Sequence, residues 1–386
     1  MYSFLAGTRI LDLTRLLPGP YASLLMADLG AEIIKVEEPN TGDPVRWLSP
    51  STGELSYPFA LLNRNKKSLT LNLRAAEGRE LFLKLAEHTD VVFESFRPGV
   101  VQRLGIDYES VKKVQAKIIY CSLSGYGQDG PYRERVGHDI NYIGVAGLLN
   151  LTGEAKPVIP GVPVADLAGG MFAALSIVSA LRARDQTGQG SYIDISMTDT
   201  VISWMTLYAA ELFGTGQSPQ RGTLPLAGGW PYYNIYETLD GKYLTIGALE
   251  EKFWINLCNA LGIPQYAQYQ FSAEKRDEIF SALRKIFRSK TQQEWLTLLD
   301  GREIPVGPVY DLEQTFADPQ VRHRQVEARH SDNTDIRYIR FPVQFSHPEG
   351  RPEQVAPKLG EHTEEILRSL GYAQPQIDSL RSRGVI

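Results

Sequence analysis

The chain has 386 residues, enough for more than one hydrophobic core, since single cores stop growing near about 250–300 residues. Hydrophobic residues at 43% and charged residues at 22% are ordinary for a globular protein and exclude a disordered or fibrous chain. A net charge of −5, from 40 basic and 45 acidic residues, supplies no basic field for nucleic acid or anionic lipid, so any anionic ligand must be held by a local cluster.

Residues 8–13 (TRILDL) read as a strand, LLPGP as a Pro/Gly turn, residues 21–29 as a helix and 32–37 (EIIKVE) as a second strand. This β-turn-α-β opening predicts a parallel sheet with right-handed crossovers. Its turn is not G-x-G-x-x-G, and its prolines remove N–H groups that a pyrophosphate would need, which argues against a nicotinamide cofactor. The N-terminal MYSFLAGTRILDLTRLL has no cationic segment followed by a long apolar one, and no unbroken run approaches the ~18 apolar residues of a membrane span, so no membrane partner is expected.

Residues 63–74 (NRNKKSLTLNLR) combine a cationic knot with a short alternating strand. Such a knot serves equally as solvated charge or as a phosphate contact. A helix at 77–87 leads into the buried-strand pattern DVVF at 90–93, the loop ESFRPGVVQRLG at 94–105, and another strand at 117–122 (KIIYCS). Cys121 and Cys258 are far apart without metal-ligand spacing; reduced, buried thiols, a cytoplasmic location and no metal are expected.

The stretch 124–170 holds two groups able to carry a proton. His138 opens the apolar run 140–149 behind Gly137, and Asp166 precedes the apolar helix expected at 171–181. An Asp there also reads as a plain N-cap, and Asp139 as the cap of the helix after His138. Beyond lie a turn at 185–189, a strand at 191–196, an apolar helix over 197–213, and a Gly/Pro-rich linker at 214–229. Strands at 230–237 and 241–246 with helices at 252–261, 276–286 and 291–299 make an α+β unit, and 359–370 is an amphipathic helix.

GHDINY at 137–142 and ADLAGG at 165–170, set between a GYGQDGP turn and a long helix, resemble the family III CoA-transferase superfamily (CaiB/BaiF type), and within it the α-methylacyl-CoA racemase branch. The likeness runs nearly the whole chain. It implies an α/β fold: a large Rossmann-like domain built from both chain ends (1–196 and 326–386), a helix and linker (197–229), and a small α+β domain (230–325), with two chains interlocked as a homodimer. By the same resemblance His138 and Asp166 transfer protons, and Glu250 of GALE (247–250) contacts the histidine. Coenzyme A enters as part of the substrate, with no separate cofactor. It is expected against Lys35, Arg64, Lys66, Lys67, Leu71, Asn72, Leu73, Arg74, Arg97 and Arg103, and against Gly137, Asp139, Ile140, Asn141 and Tyr142. In one departure, IKVEEP at 34–39 stands where racemases of this kind carry V-R-x-D-R-P, so Glu38 replaces a cation.

A thioester acidifies its α-carbon, and inverting that centre needs a base on one face and an acid on the other, which His138 and Asp166 would supply for a 2-methylacyl-CoA. Backbone N–H groups at 140–142 or 167–170 are candidates to meet the enolate oxygen. Gly169 and Gly170 serve either close thioester approach or helix packing. Tyr142, Trp230, Tyr232 and Tyr233 are expected in the acyl pocket wall. The alternative is CoA transfer between carboxylic acids through a mixed anhydride at Asp166.

Overall fold

The computed structural model describes residues 1–52, 55–330, 336–346, 350 and 353–386. The chain divides into two compact units: Met1–Ala146, Val162–Trp204 and Arg324–Ile386 form the first, Gly147–Gly161 and Met205–His323 the second.

In the first unit, β1 (Arg9–Asp12), β2 (Glu32–Glu37), β3 (Lys66–Thr70), β4 (Val91–Glu94), β5 (Ile119–Ser124) and β6 (Ser191–Ser196) form a parallel sheet in the order β3-β2-β1-β4-β5-β6. The doubly buried strands are apolar at consecutive positions because helices cover both faces. This is the doubly wound order of dinucleotide-binding folds, with its crevice where the order reverses, beyond the ends of β1 and β4. There the Arg15 N–H donates to Ser95 Oγ at 3.2 Å and the guanidinium lies 5.1 Å from the Phe96 ring centroid.

Helix α1 (Pro18–Asp28) starts three residues earlier than predicted and takes in both prolines of the expected turn. Proline is tolerated there because first-turn N–H groups have no acceptor within the helix. The run after His138 forms a short helix, α2 (Asp139–Val145), and stops before Gly147 at φ +88°. Helix α3 (Val164–Thr187) is 24 residues long, well beyond the predicted 171–181. Against expectation, it is long and apolar enough by composition to cross a membrane. Eight of its residues, mostly Ala and Gly, are buried, and it packs along α1. Small residues extend it on the N-terminal side of the bulky run, and the mainly charged and polar residues 182–187 on the other, so it held no unbroken run of large apolar side chains.

Both chain ends build the core of this unit. Leu11, Ile34, Leu69, Val92 and Tyr120 of the sheet join Leu81 and Phe82, and Ile366, Leu367, Ile377, Leu380, Val385 and Ile386 close the same cluster. Backbone bonds fix that return: the Asn72 N–H donates to the Val385 carbonyl at 2.8 Å and the His362 N–H to the Ser68 carbonyl at 3.0 Å.

The second unit has an antiparallel sheet of β7 (Tyr233–Glu237), β8 (Tyr243–Gly247) and β9 (Val306–Pro308), ordered β9-β8-β7. Helices Glu251–Ala260, Arg276–Phe287 and Gln292–Leu299 bury Trp254, Leu257, Phe287 and Trp295 with Tyr236 and Leu244 of the sheet. The helix predicted over 197–213 is two helices, Met197–Trp204 and Thr206–Thr215, parted where the units divide.

Candidate active site

The site is built in the first unit where α2 and α3 begin. His138 is the N-cap of α2 in extended conformation; its N–H donates to Asn141 Oδ1 at 3.0 Å, and its carbonyl accepts from the Asn141 N–H at 2.8 Å. Asp166 is the third residue of α3, inside its first turn, and not the cap that a later start would have made it. The N-cap of α3 is Pro163, which has no side-chain acceptor. Asp139 supplies one: its Oδ1 accepts from the N–H groups of Ala165 at 2.6 Å and Asp166 at 3.1 Å. The aspartate expected to cap its own helix thus caps the next one.

Burial first, then the Asp139 charge, push the Asp166 carboxyl up to about 6, while His138 draws it down. The imidazole and the carboxyl are therefore within electrostatic reach of each other. Behind them the Tyr142 hydroxyl donates to the Gly137 carbonyl at 2.5 Å, and its ring meets Tyr126 edge-on with centroids 5.2 Å apart. Burial first, then Tyr126 and Asp166, push this phenol up to about 12, while Arg97 draws it down. Arg97 thus belongs to the same neighbourhood. Gly125 and Gly137 make room for the ring: a Cβ on either would lie 2.3 or 2.8 Å from Tyr142 Cε1.

The expected cationic knot is mostly turned inward, with Arg74 its exposed member. Lys35 is buried, pairs with Asp43 at 2.8 Å and donates to the Thr14 carbonyl. Lys66 is buried and donates to the Pro20 carbonyl, Ser23 Oγ and Asn63 Oδ1, with Asp12 at 3.6 Å. Arg64 is buried against Asp28, and Lys67 pairs with Glu32 and Glu365. These four cations pair with acids of the chain itself; Lys35, Arg64 and Lys66 are buried away from any phosphate, while the Lys67 side chain keeps 30% exposure. Leu71 is buried, Leu73 packs partly buried on the same core, and the Asn72 N–H is bound to the C-terminal segment.

Arg74, exposed and paired with Glu38 at 3.6 Å, and Arg103 stand apart from the buried cations. With Leu73, Ala75, Ala76, Arg79 and Leu104 they line a cleft of about 240 Å³. Arg79, not singled out from the sequence, is the third arginine there; its spacing from Arg74 across the start of a helix is the signal that would have found it.

Most of the N–H groups proposed for the oxyanion are already used. Those of Asn141 and Tyr142 go to the His138 carbonyl, and that of Leu167 goes to Pro163, because α3 begins early. Ile140 is 42% exposed. Gly169 and Gly170 serve packing: a Cβ on Gly170 would lie 2.6 Å from the Pro18 carbonyl oxygen, and one on Gly169 2.6 Å from Met197 Cγ. In the second unit, Glu250 is the exposed N-cap residue of Glu251–Ala260, and its side chain does not cap the helix. Tyr232 is buried in that unit's core beneath Trp230, while Tyr233 is 37% exposed on β7. Among the described residues no group of three or more His, Cys, Asp or Glu is placed to hold a metal ion.

The chain is 36% identical over 402 residues to mouse succinyl-CoA:glutarate CoA-transferase, covering 99% of this chain and 90% of that one. It is 32% identical over 391 residues to human α-methylacyl-CoA racemase, covering 99% and 97%. A crystal structure of a CAIB/BAIF family protein from Brucella suis matches with a TM-score of 0.86 at 32% identity, over 96% of this chain and all of that one. Residues 5–363 match the model of CoA-transferase family III, and the chain belongs to that family.

Proposed function

We propose that the protein moves the α-hydrogen of an acyl-CoA thioester between His138 and Asp166, and so inverts the configuration of a 2-methylacyl-CoA. The observation that carries this reading is that Asp139, next to His138, accepts from the Asp166 N–H and so brings the helix starts bearing the two groups together, with burial raising the Asp166 carboxyl to about 6. A carboxyl so poised exists in both protonation states near neutrality, which a two-base exchange requires of each partner. One group takes the α-proton, leaving an enolate whose charge rests on the thioester oxygen. The other returns a proton to the opposite face, and the reverse reaction starts from the exchanged protonation states. The arginine cleft at Arg74, Arg79 and Arg103 offers bidentate donors suited to the nucleotide phosphates of coenzyme A.

A second reading is favoured by the higher identity to a CoA-transferase than to a racemase. In it the Asp166 carboxylate attacks the thioester carbonyl and the CoA thiolate leaves; the thiolate then attacks the aspartyl carbonyl of the mixed anhydride, releasing the donor acid, and the resulting aspartyl thioester yields its CoA to the acceptor carboxylate by the same two steps in reverse. His138 forms no bond in that sequence.

The test is incubation of (2R)-2-methylacyl-CoA in deuterated water, with and without glutarate as a free acid. Racemisation predicts deuterium at the α-carbon without glutarate, and loss of that exchange by about 100-fold or more in His138→Ala and in Asp166→Ala. Transfer of CoA to glutarate without α-exchange, retained in His138→Ala, would establish the second reading in its place.

A further inference from the structure

We propose that Asp139 is a positioning residue: by accepting from the N–H groups of Ala165 and Asp166, its carboxylate clamps the start of α3 to the start of α2 and so sets the separation of His138 and Asp166. The inference rests on the use of that pair described above. Three features carry it. Pro163 offers α3 no side-chain cap, so without Asp139 the N–H groups of the first turn would lack an acceptor at a partly buried place. Asp139 follows His138 directly, so one carboxylate ties the backbone of one proton carrier to that of the other. Finally, Ala165 is fully buried, so its N–H has no water to turn to if the Asp139 acceptor is lost.

The clamp also has an electrostatic side. Asp139 places a negative charge beside Asp166 and adds to burial in keeping its proton on; His138 opposes it. Tyr142 faces the same carboxyl from α2, and Arg97 faces Tyr142. Of the charges acting on Asp166, Asp139 is the one held by two hydrogen bonds to the turn it influences.

Two substitutions separate geometry from charge. In Asp139→Asn the carboxamide oxygen still accepts, so the cap persists while the charge is removed. Carbon-13 aspartate NMR should show Asp166 titrating lower by about half to one unit, with the Ala165 and Asp166 amides as protected from hydrogen exchange as before. In Asp139→Ala both functions go: protection of those two amides should fall by about tenfold or more, and α-hydrogen exchange by about 100-fold with little change in KM. Unchanged protection in Asp139→Ala, or an unmoved Asp166 titration in Asp139→Asn, would overturn the proposal. Absence of α-exchange in the unsubstituted protein, with the NMR responses as expected, would defeat the catalytic reading and leave the clamp supported.

Discussion

Between about pH 4 and 6 Asp166 keeps a proton that an aspartate in water would have lost. Its folded value of about 6 exceeds the ordinary 3.8, so the native state binds the proton more tightly, and stability falls as pH rises through that window. At neutral pH the ionised group therefore costs stability. Asp166→Asn should raise the unfolding free energy at pH 7 by about 1–2 kcal/mol while abolishing activity, and the gain should vanish below pH 4; urea denaturation at the two pH values measures both. The residue-scale reading of the sequence singles out His138 and Asp166 as candidates through their distinctive local patterns. It was weakest for Lys35, Arg64 and Lys66, whose acidic partners Asp43, Asp28 and Asp12 are brought to them only by the sheet. A run of cations looks the same on paper whether it faces water or buried carboxylates. The sequence marks Asp139 as a cap of its own helix, because the acceptor-poor end at Pro163 that it serves is defined only by where α3 begins.

At the scale of elements, strands and crossovers followed closely from apolar runs bounded by turns, and helix starts did not. The segment PGVPVAD contains prolines that read as loop, yet Pro163 is the N-cap, a position proline tolerates, and the helix follows at once. The two glycines after Asp166 were ambiguous until the α1 backbone was seen against them. Gly170→Ala gains about 1 kcal/mol of helix propensity but forces a methyl onto the Pro18 carbonyl, a backbone obstacle that cannot swing aside, at about 1–3 kcal/mol. The clash should win, lowering stability. Gly214→Ala, in the helix Thr206–Thr215 with nothing within 4 Å, should instead stabilise by about 0.5–1 kcal/mol. Thermal melts that order the two variants the other way would contradict this account of the α1–α3 contact.

Across the whole molecule, the doubly wound sheet and the separate α+β unit were both foreshadowed by the spacing of the elements, and the return of the C-terminus to the sheet by family likeness. Periodicity could not show that return, because an amphipathic helix such as Thr363–Ser369 specifies an apolar partner without saying which one. The dependence is testable. Deleting residues 374–386 removes Ile377, Leu380, Val385 and Ile386 from the core of the first unit. At about 1.5–3 kcal/mol for each buried side chain, the loss is roughly 6–12 kcal/mol, comparable to the whole stability of a typical domain. The truncated chain should lose the cooperative unfolding transition of that unit, as followed by circular dichroism and by proteolysis within the sheet.

The same arrangement dictates an order of events at the ribosome. The second unit is fully synthesised once His323 has emerged, while the sheet unit still lacks the residues that seal it. Since Val385 and Ile386 belong to that seal, the nascent polypeptide carries an unfinished apolar face until they too have emerged. Birth of the protein therefore proceeds from the middle outward, with the oldest strands waiting longest for their final neighbours.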